Sequence, residues 1–370
     1  MSPQRREIRS AFIEWAKLRS NARFDLSGSS VLSIPLAEFP VPISSLEISG
    51  PAAYGYPPLL DRLAAKSGVP VECIIQAEGT SMANHLAMAA LIEAGDEVLI
   101  EDPGYEPLVT AAHYLGARIR RFARRPDDNF QLDPREIERV ISSRTRLIVL
   151  TNLHNPSGAR ASDASLRLVG EIARSLGGHV LVDEIFLECC FDSPWQTAFH
   201  LGPNFIATGS LAKAYGLPGL RCGWVFAAAP LAQRMWRLND LFGVYPPHVA
   251  ELLSVIALDH LPKLVARARS LLDANRALLR SFLDSRKDLL GSCPSAGPIC
   301  FPQVASGPAL AFCQLLREKY ETSVVPGRFF GAPRHFRLGI GGNTDGLREG
   351  LARLSAALDE FATPSGRSSS

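Results

Sequence analysis

The sequence predicts an α/β fold: a mostly parallel sheet covered by helices, followed by a smaller α+β domain. Three observations carry this. Between residues 71 and 227, strand-length apolar runs alternate with helix-length segments, and strands buried on both faces read as unbroken apolar runs. Polar residues able to do chemistry fall just past the ends of several runs, where open α/β sheets place their sites. From about residue 249 a long helical pattern gives way to short segments rich in Gly and Pro.

The elements follow in order. Arg5 to Leu18 has helical spacing, with Ile8, Phe12, Trp15 and Ala16 available to one face. Arg19 to Gly50 is irregular and broken by prolines. Pro57 or Pro58 opens a helix through Leu59, Leu60, Leu63 and Ala64. Val71 to Gln76 reads as a strand. Thr80 or Ser81 then caps a helix from Met82 to about Glu93 that stops at Gly95. Further strands are expected at Glu97 to Glu101, Ala117 to Phe122, Arg146 to Thr151, His179 to Val182, Phe205 to Thr208 and Cys222 to Ala227. Helices are expected at Pro107 to Leu115, Pro134 to Ile141 and Ala164 to Leu176. A helical stretch from Val249 to Arg286 is interrupted by Pro262. A helix near Ala309 to Lys319, a strand around His335 to Leu338 and a last helix from Thr344 to Phe361 complete the chain. The expected organisation is an N-terminal segment 1–45 that packs with the small domain, a large domain 46–246, a small domain 247–361 and a disordered tail 362–370.

The chain has 370 residues, 46% of them hydrophobic, and a net charge of +2. That composition supports a sizeable core and gives no general reason to bind nucleic acid. The basic residues Arg118, Arg120, Arg121, Arg124 and Arg125 read as a solvated face, because no aromatic stacking positions interleave them. Seven cysteines without a CxxC pair make neither a disulfide framework nor a zinc knuckle. No apolar run spans a membrane and no secretion signal is visible, so a cytoplasmic location is expected. His154 and His179 lack partners at metal-ligand spacing and read as structural. Gly339-x-Gly341-Gly342 leads into the final helix with no following strand, so it is not a dinucleotide loop.

Of six lysines, Lys17, Lys66, Lys263, Lys287 and Lys319 have charged neighbours and read as solvated. Lys213 instead lies in IATGSLAKAYGLPGLRCGW, between two apolar strands. Desolvation favours the neutral amine, the form that attacks an aldehyde. Ser210 and Arg221 flank it with a hydroxyl and a planar five-donor fork, both suited to a phosphate. Thr80 and Ser81, at a helix start, offer a second anion site. Asp183 ends HVLVD and could face a protonated ring nitrogen. Asn155 could donate to a ring hydroxyl, and Tyr105 could stack on a flat ring. Together these describe a pyridoxal phosphate pocket.

The stretches EGTSMA (Glu78 to Ala83), EDPGYEPL (Glu101 to Leu108), NLHNPSG (Asn152 to Gly158) and VDEIF (Val182 to Phe186) extend the pattern. So do SLAKAYGLPGLRCGW (Ser210 to Trp224), VPGRFFG (Val325 to Gly331) and FRLGIGG (Phe336 to Gly342). In order and content the chain resembles the class I/II aminotransferases, the aspartate-aminotransferase-like fold type of pyridoxal phosphate enzymes. The resemblance implies that Lys213 forms the Schiff base and shuttles the proton. It implies that Asp183 pairs with the ring nitrogen, Asn155 bonds the ring oxygen and Tyr105 stacks. Thr80, Ser81, Ser210 and Arg221 would hold the phosphate. Arg337, by itself a surface arginine, would clamp the substrate carboxylate. Amino acid and 2-oxo acid substrates, and a homodimer with active sites at the interface, are implied as well. Two departures stand out. Phe186 replaces the tyrosine usual three residues after the strand-end Asp. Neither Tyr54 nor Tyr56 fits the register of the tyrosine that reaches a neighbouring subunit's phosphate. The expected activity is amino transfer from an L-amino acid to a 2-oxo acid. The alternative is a pyridoxal phosphate lyase, decarboxylase or cyclase on the same fold, which Phe186 favours. A non-catalytic binding module would not need Lys213.

Overall fold

The structure is a computed structural model that describes residues 8–362. Its centre is a seven-stranded sheet in the order Ile74–Glu78, Cys222–Phe226, Phe205–Ser210, His179–Asp183, Thr145–Thr151, Glu97–Asp102 and Arg118–Ala123. Six strands run the same way. Cys222–Phe226 alone is antiparallel to both its neighbours. The inner strands are buried throughout, as their apolar runs require: Val98, Leu99, Ile100, Leu147, Ile148, Val149 and Leu150 have no exposed surface.

Helices cover both faces. Gly79–Ala89 packs Ala83, Leu86 and Ala87 onto one side with Val98, Ile100 and Val149. Asp163–Ser175 covers the other with Leu166, Val169 and Ala173. Its start is fixed by Ser162, whose hydroxyl accepts from the Ser165 amide, a cap worth about 1 kcal/mol. The helices Pro57–Ser67, Glu106–Tyr114 and Pro134–Glu138 fall where proline and periodicity place them.

Beyond the sheet, Pro262 divides two helices, His248–Asp259 and Leu261–Asp284, by opening the second. Short pairs follow. Ile299–Cys300 and Val325–Pro326 flank Phe336–Gly339, and Leu289–Leu290 pairs with Gln303–Val304. Helices Ala309–Tyr320 and Thr344–Ala362 close this part. The proline-broken N-terminal segment adds Phe24–Asp25 in parallel to Thr322–Ser323, and the Leu26 carbonyl accepts from the Gly339 amide at 2.7 Å. Gly339 and Gly341 leave no room for a Cβ against the carbonyls of Gly28 and Ser30. Those glycines thus serve close backbone packing, not a nucleotide.

Several expectations are corrected. The first helix is Ala11–Leu18, capped by Ser10, and Arg5 to Glu7 lie outside the described residues. Val71–Cys73 is a 3₁₀ turn, and the strand begins at Ile74 because Pro70 starts the turn. Helix Gly79–Ala89 begins before Thr80, so neither Thr80 nor Ser81 caps it, and it ends short of Glu93. The chain between Ala227 and Val249 holds an unforeseen helix, Ala229–Asn239. The final helix includes Ala362, and the rest of the expected tail lies outside the described residues. Of the residues read as solvated, Arg124 is buried against Glu101, and Lys66 is half-buried against Glu188. Among the described residues no helix is long and apolar enough to cross a membrane, and no group of His, Cys, Asp and Glu could hold a metal ion.

Candidate active site

Parallel strands deliver the polar residues to one edge. Glu78, Asp102, Thr151, Asp183 and Ser210 all end strands there. The antiparallel strand Cys222–Phe226 starts at the same edge, which brings in Arg221. Thr80, Tyr105, Asn155 and Lys213 follow within five residues of those strand ends.

Lys213 is half-buried. Burial lowers its pKa to about 8, with the positive charges of Arg337 and Arg221 acting in the same direction and Asp183 opposing. Its carbonyl accepts from the Val31 amide at 3.0 Å, which pins the turn. Asp183 is buried and its pKa rises to about 6 by desolvation. Asn84, the Ile185 amide and Lys213 hold it from going higher. Asn84 Nδ2 donates to Asp183 Oδ2 at 2.7 Å, and Asn84 Oδ1 accepts from Thr208 Oγ1 at 2.6 Å. Asn84 is a site residue that sequence reasoning missed. Its signal was an amide in an otherwise apolar helix, one turn after Thr80.

Arg337 corrects the surface reading: it is 2% exposed. Nη1 donates to Asn155 Oδ1 at 2.9 Å and Nη2 to the Ser27 carbonyl at 3.3 Å. The rings of Phe12 and Phe330 flank the guanidinium at 5.3 and 5.1 Å. Burial lowers its pKa to about 10. Tyr105 is enclosed beside it, edge-on to Phe12 at 5.7 Å, and feels both Arg337 and Asp183. Desolvation pushes its phenol up to about 12, so it stays protonated.

Arg221 adopts a left-handed φ of 49° and donates from Nη2 to the Glu78 carbonyl at 3.1 Å. This lays its guanidinium over Gly79, where a Cβ would collide with it. Gly79 itself has φ 75°. Thr80 Oγ1 is buried without a hydrogen-bond partner, and no side chain caps this helix start. Ser210 is buried, its hydroxyl accepting from the Ala212 amide at 3.2 Å. Ser81 is exposed on the first helical turn.

The donor set tests well against pyridoxal phosphate. The unpartnered Thr80 hydroxyl, free helix N–H groups and an arginine over a glycine make an anion cradle. A half-buried amine and a buried carboxylate lie at the same sheet edge. Arg337 Nε is also buried without a partner, as a carboxylate clamp requires.

Other residues have different duties. Phe186 is buried against Leu153, Leu187, Cys190 and Ile299, so no hydroxyl stands at that position. Tyr54 hydrogen-bonds Asp240 of its own chain at 2.9 Å and also Arg237. Tyr56 packs edge-on against His248 at 4.9 Å. His154 is buried, with Nε2 donating to the Pro103 carbonyl at 2.9 Å and Nδ1 2.6 Å from Ser157 Oγ. That satisfies it as a structural histidine. His179 is partly buried at a strand start.

Comparison with known proteins agrees with this geometry. The family profile of aminotransferase class I and II matches residues 49–354. Capreomycidine synthase from Streptomyces vinaceus is 29% identical over 297 residues, 79% of this chain and 76% of that protein. Arginine–pyruvate transaminase from Pseudomonas aeruginosa is 26% identical over 324 residues, 82% and 79% of the two chains. Among solved structures, a PLP-dependent aminotransferase from Streptococcus suis superposes with a TM-score of 0.90 at 26% identity, covering 96% of this chain and 98% of that one. The PLP-dependent cyclase OrfR superposes with a TM-score of 0.87, also at 26% identity, covering 98% of this chain and 100% of that one. A half-buried lysine amine, a buried strand-end carboxylate and an anion cradle on this sheet edge thus sit within a matched family profile, and the chain belongs to the class I and II aminotransferases, whose cofactor is pyridoxal phosphate.

Proposed function

We propose that the protein moves an amino group from an L-amino acid to a 2-oxo acid. The observation that carries this is the half-buried Lys213 amine, lowered to about 8 beside buried Asp183 and Arg337. Bound pyridoxal phosphate supplies an aldehyde and an electron-accepting ring. Lys213 would hold that aldehyde through its neutral amine and, once freed by the substrate amine, would take and carry the proton of the substrate Cα. Asp183, aligned by Asn84, would hold the ring nitrogen and keep it protonated. Tyr105 would hold the ring face, and Asn155 would donate to its oxygen. Thr80, Ser81, Ser210 and Arg221 would hold the phosphate. Arg337 grips the α-carboxylate, which orients Cα–H toward Lys213. The protein works as a cytoplasmic homodimer with its sites at the interface, and the N-terminal segment 1–45 packs with the small domain 247–361 beside a large domain 46–246.

A second reading is supported by Phe186. With no hydroxyl there, the ring oxygen loses a donor, and the similarity to capreomycidine synthase and to OrfR fits an elimination or cyclisation on the same frame. Lyase and decarboxylase reactions belong to the same class.

Loaded protein mixed with single amino acids, without an acceptor, separates the two readings. Amino transfer predicts stoichiometric pyridoxamine phosphate and a 2-oxo acid by mass. Catalytic release of ammonia, carbon dioxide or a cyclised product, with the original absorption band returning, would overturn it. Lys213→Ala should abolish either reaction.

A further inference from the structure

Beneath Asn155 lies a chain of buried polar groups that the proposed reaction does not use. Glu101 and Arg124 have side chains with 0% exposure, and Arg124 Nη1 donates to Glu101 Oε2 at 2.7 Å. Arg124 Nε donates to the Phe130 carbonyl at 2.7 Å. The other Glu101 oxygen, Oε1, accepts from the Thr151 amide at 2.8 Å and from Thr151 Oγ1 at 2.5 Å. The Thr151 hydroxyl in turn accepts from the Asn155 backbone N–H at 2.8 Å. The side-chain Oδ1 of the same residue receives Arg337 Nη1. Four hydrogen bonds, with Asn155 contributing its backbone to the third and its side chain to the fourth, therefore connect Arg124 to Arg337.

A buried ion pair is a poor source of stability, since desolvating two charges offsets most of their attraction. Its geometry is more informative. Glu101 ends the strand that leads through Asp102, Pro103 and Gly104 to Tyr105, and Thr151 ends the strand that leads to Asn155. One carboxylate thus fixes two loops, whose tips carry the aromatic and amide groups assigned to the cofactor ring. With Asn155 Oδ1 held by Arg337, the NH₂ end of that side chain is the end presented as donor.

We propose that Glu101 is a positioning residue. Through Thr151 it sets the orientation of Asn155, and through Asn155 that of the Arg337 clamp. This rests on the roles given to Asn155 and Arg337 above. Burial pushes the Glu101 carboxyl up, and Arg124 and Thr151 oppose that push, favouring the ionised form in which both oxygens accept.

Glu101→Ala leaves Arg124 buried and unpaired and can fail to fold, so the test is made at Thr151. Thr151→Val keeps the shape and the ion pair and removes the hydroxyl between Glu101 and Asn155. Thr151→Ser keeps the hydroxyl, and Asn155→Ala is the reference. Three quantities are measured on loaded protein: the pH midpoint of the bound cofactor's absorption, the cofactor dissociation constant by fluorescence, and KM against kcat for the amino donor. Thr151→Val should raise the midpoint by about half a unit or more, as a lost donor to the ring oxygen requires. It should weaken cofactor binding, and raise KM up to about tenfold, the weight of one hydrogen bond. Thr151→Ser should return all three to near wild type. A Thr151→Val protein that is less stable but unchanged in all three quantities, beside an Asn155→Ala that moves them, would overturn the inference and leave the site reading intact. A silent Asn155→Ala would instead remove the site reading, and the inference with it.

Discussion

Two buried carboxylates flank the candidate site, and their settings differ. Glu101 meets Arg124 in a dry pocket, both side chains at 0% exposure, with Thr151 filling the second oxygen. Glu188 meets Lys66 nearer the surface, at 10% and 13% exposure, and accepts from the Tyr215 hydroxyl with its other oxygen. Around Lys66 the rings of Trp224 and Trp195 stand at 5.0 and 5.6 Å from the amine. Glu101 reaches the backbone of Asn155 in two hydrogen bonds, and the side chain of that residue bonds Arg337. Glu188 reaches Tyr215, two residues beyond Lys213, and ties its turn to helix Pro57–Ser67. The dry pair therefore holds a residue assigned to the ligand, while the wetter pair holds the turn after Lys213.

The largest effect should come from breaking each pair on one side. Glu101→Ala strands a guanidinium with no route to water, and should cost about 3–5 kcal/mol. Glu188→Ala leaves a flexible amine that can rehydrate between two aromatic faces, and should cost about 1–3 kcal/mol. Equilibrium urea unfolding measures both. Equal losses would break the distinction between the pockets.

A pH series sharpens it further. Glu184 lies in the Glu188 region and accepts from the Ala198 amide at 2.6 Å, and desolvation raises its pKa to about 8. An acid raised by folding stabilises the native state fully below its unfolded value of 4.5, and that contribution is lost as pH rises through the folded value. Asp183 is raised in the same sense but only to about 6, and Lys213, lowered to about 8, gains above that pH. Above about pH 6.5, Glu184 contributes a fall up to about pH 8 and buried Glu101 is pushed in the same sense, while the lowered His154 and His335 act oppositely only below that pH. Melting temperature should therefore drop across that window in the wild type, and Glu184→Gln should flatten it. A Glu184→Gln protein with the same slope would move the cause elsewhere.

The contrast also explains what the sequence could reveal. The sheet was legible because each inner strand is a continuous apolar run, and the site was legible because parallel strands put Thr80, Asn155, Asp183 and Lys213 past the same edge. Arg124 was not. In RIRRFARR the exposed Arg118 and Arg120 make the whole stretch look solvated. What buries Arg124 is Glu101 on the neighbouring strand, and only the Glu101–Phe122 register brings the two together. Lys66 is similar, since its carboxylate and its two tryptophans lie far along the chain. Arg337 needed Phe12 and Phe330 to close over it. The two-residue strands after Leu289 carry too few residues to show any period. Helix Ala229–Asn239 opens at Pro230 and buries only Ala232, Met235 and Asn239, so its apolar stripe is weak in sequence.

Tyr215→Phe offers the smallest and most selective change. Burial beside Glu188 raises the phenol's pKa well above its usual value, so it remains a donor. Removing that hydroxyl takes one of two donors from Glu188 and should cost about 1 kcal/mol. Lys213 takes its lowered pKa from burial and from Arg337 and Arg221, with Asp183 opposing, and not from Glu188. Turnover should then change by less than about threefold, the scale expected when no group is lost from the transition state. Stopped-flow decay of the cofactor absorption reports this directly. A much slower decay, at unchanged substrate affinity, would show that the Glu188 pocket acts on the Lys213 proton transfer, and the division between a pair that holds a ligand residue and a pair that holds the turn would fail.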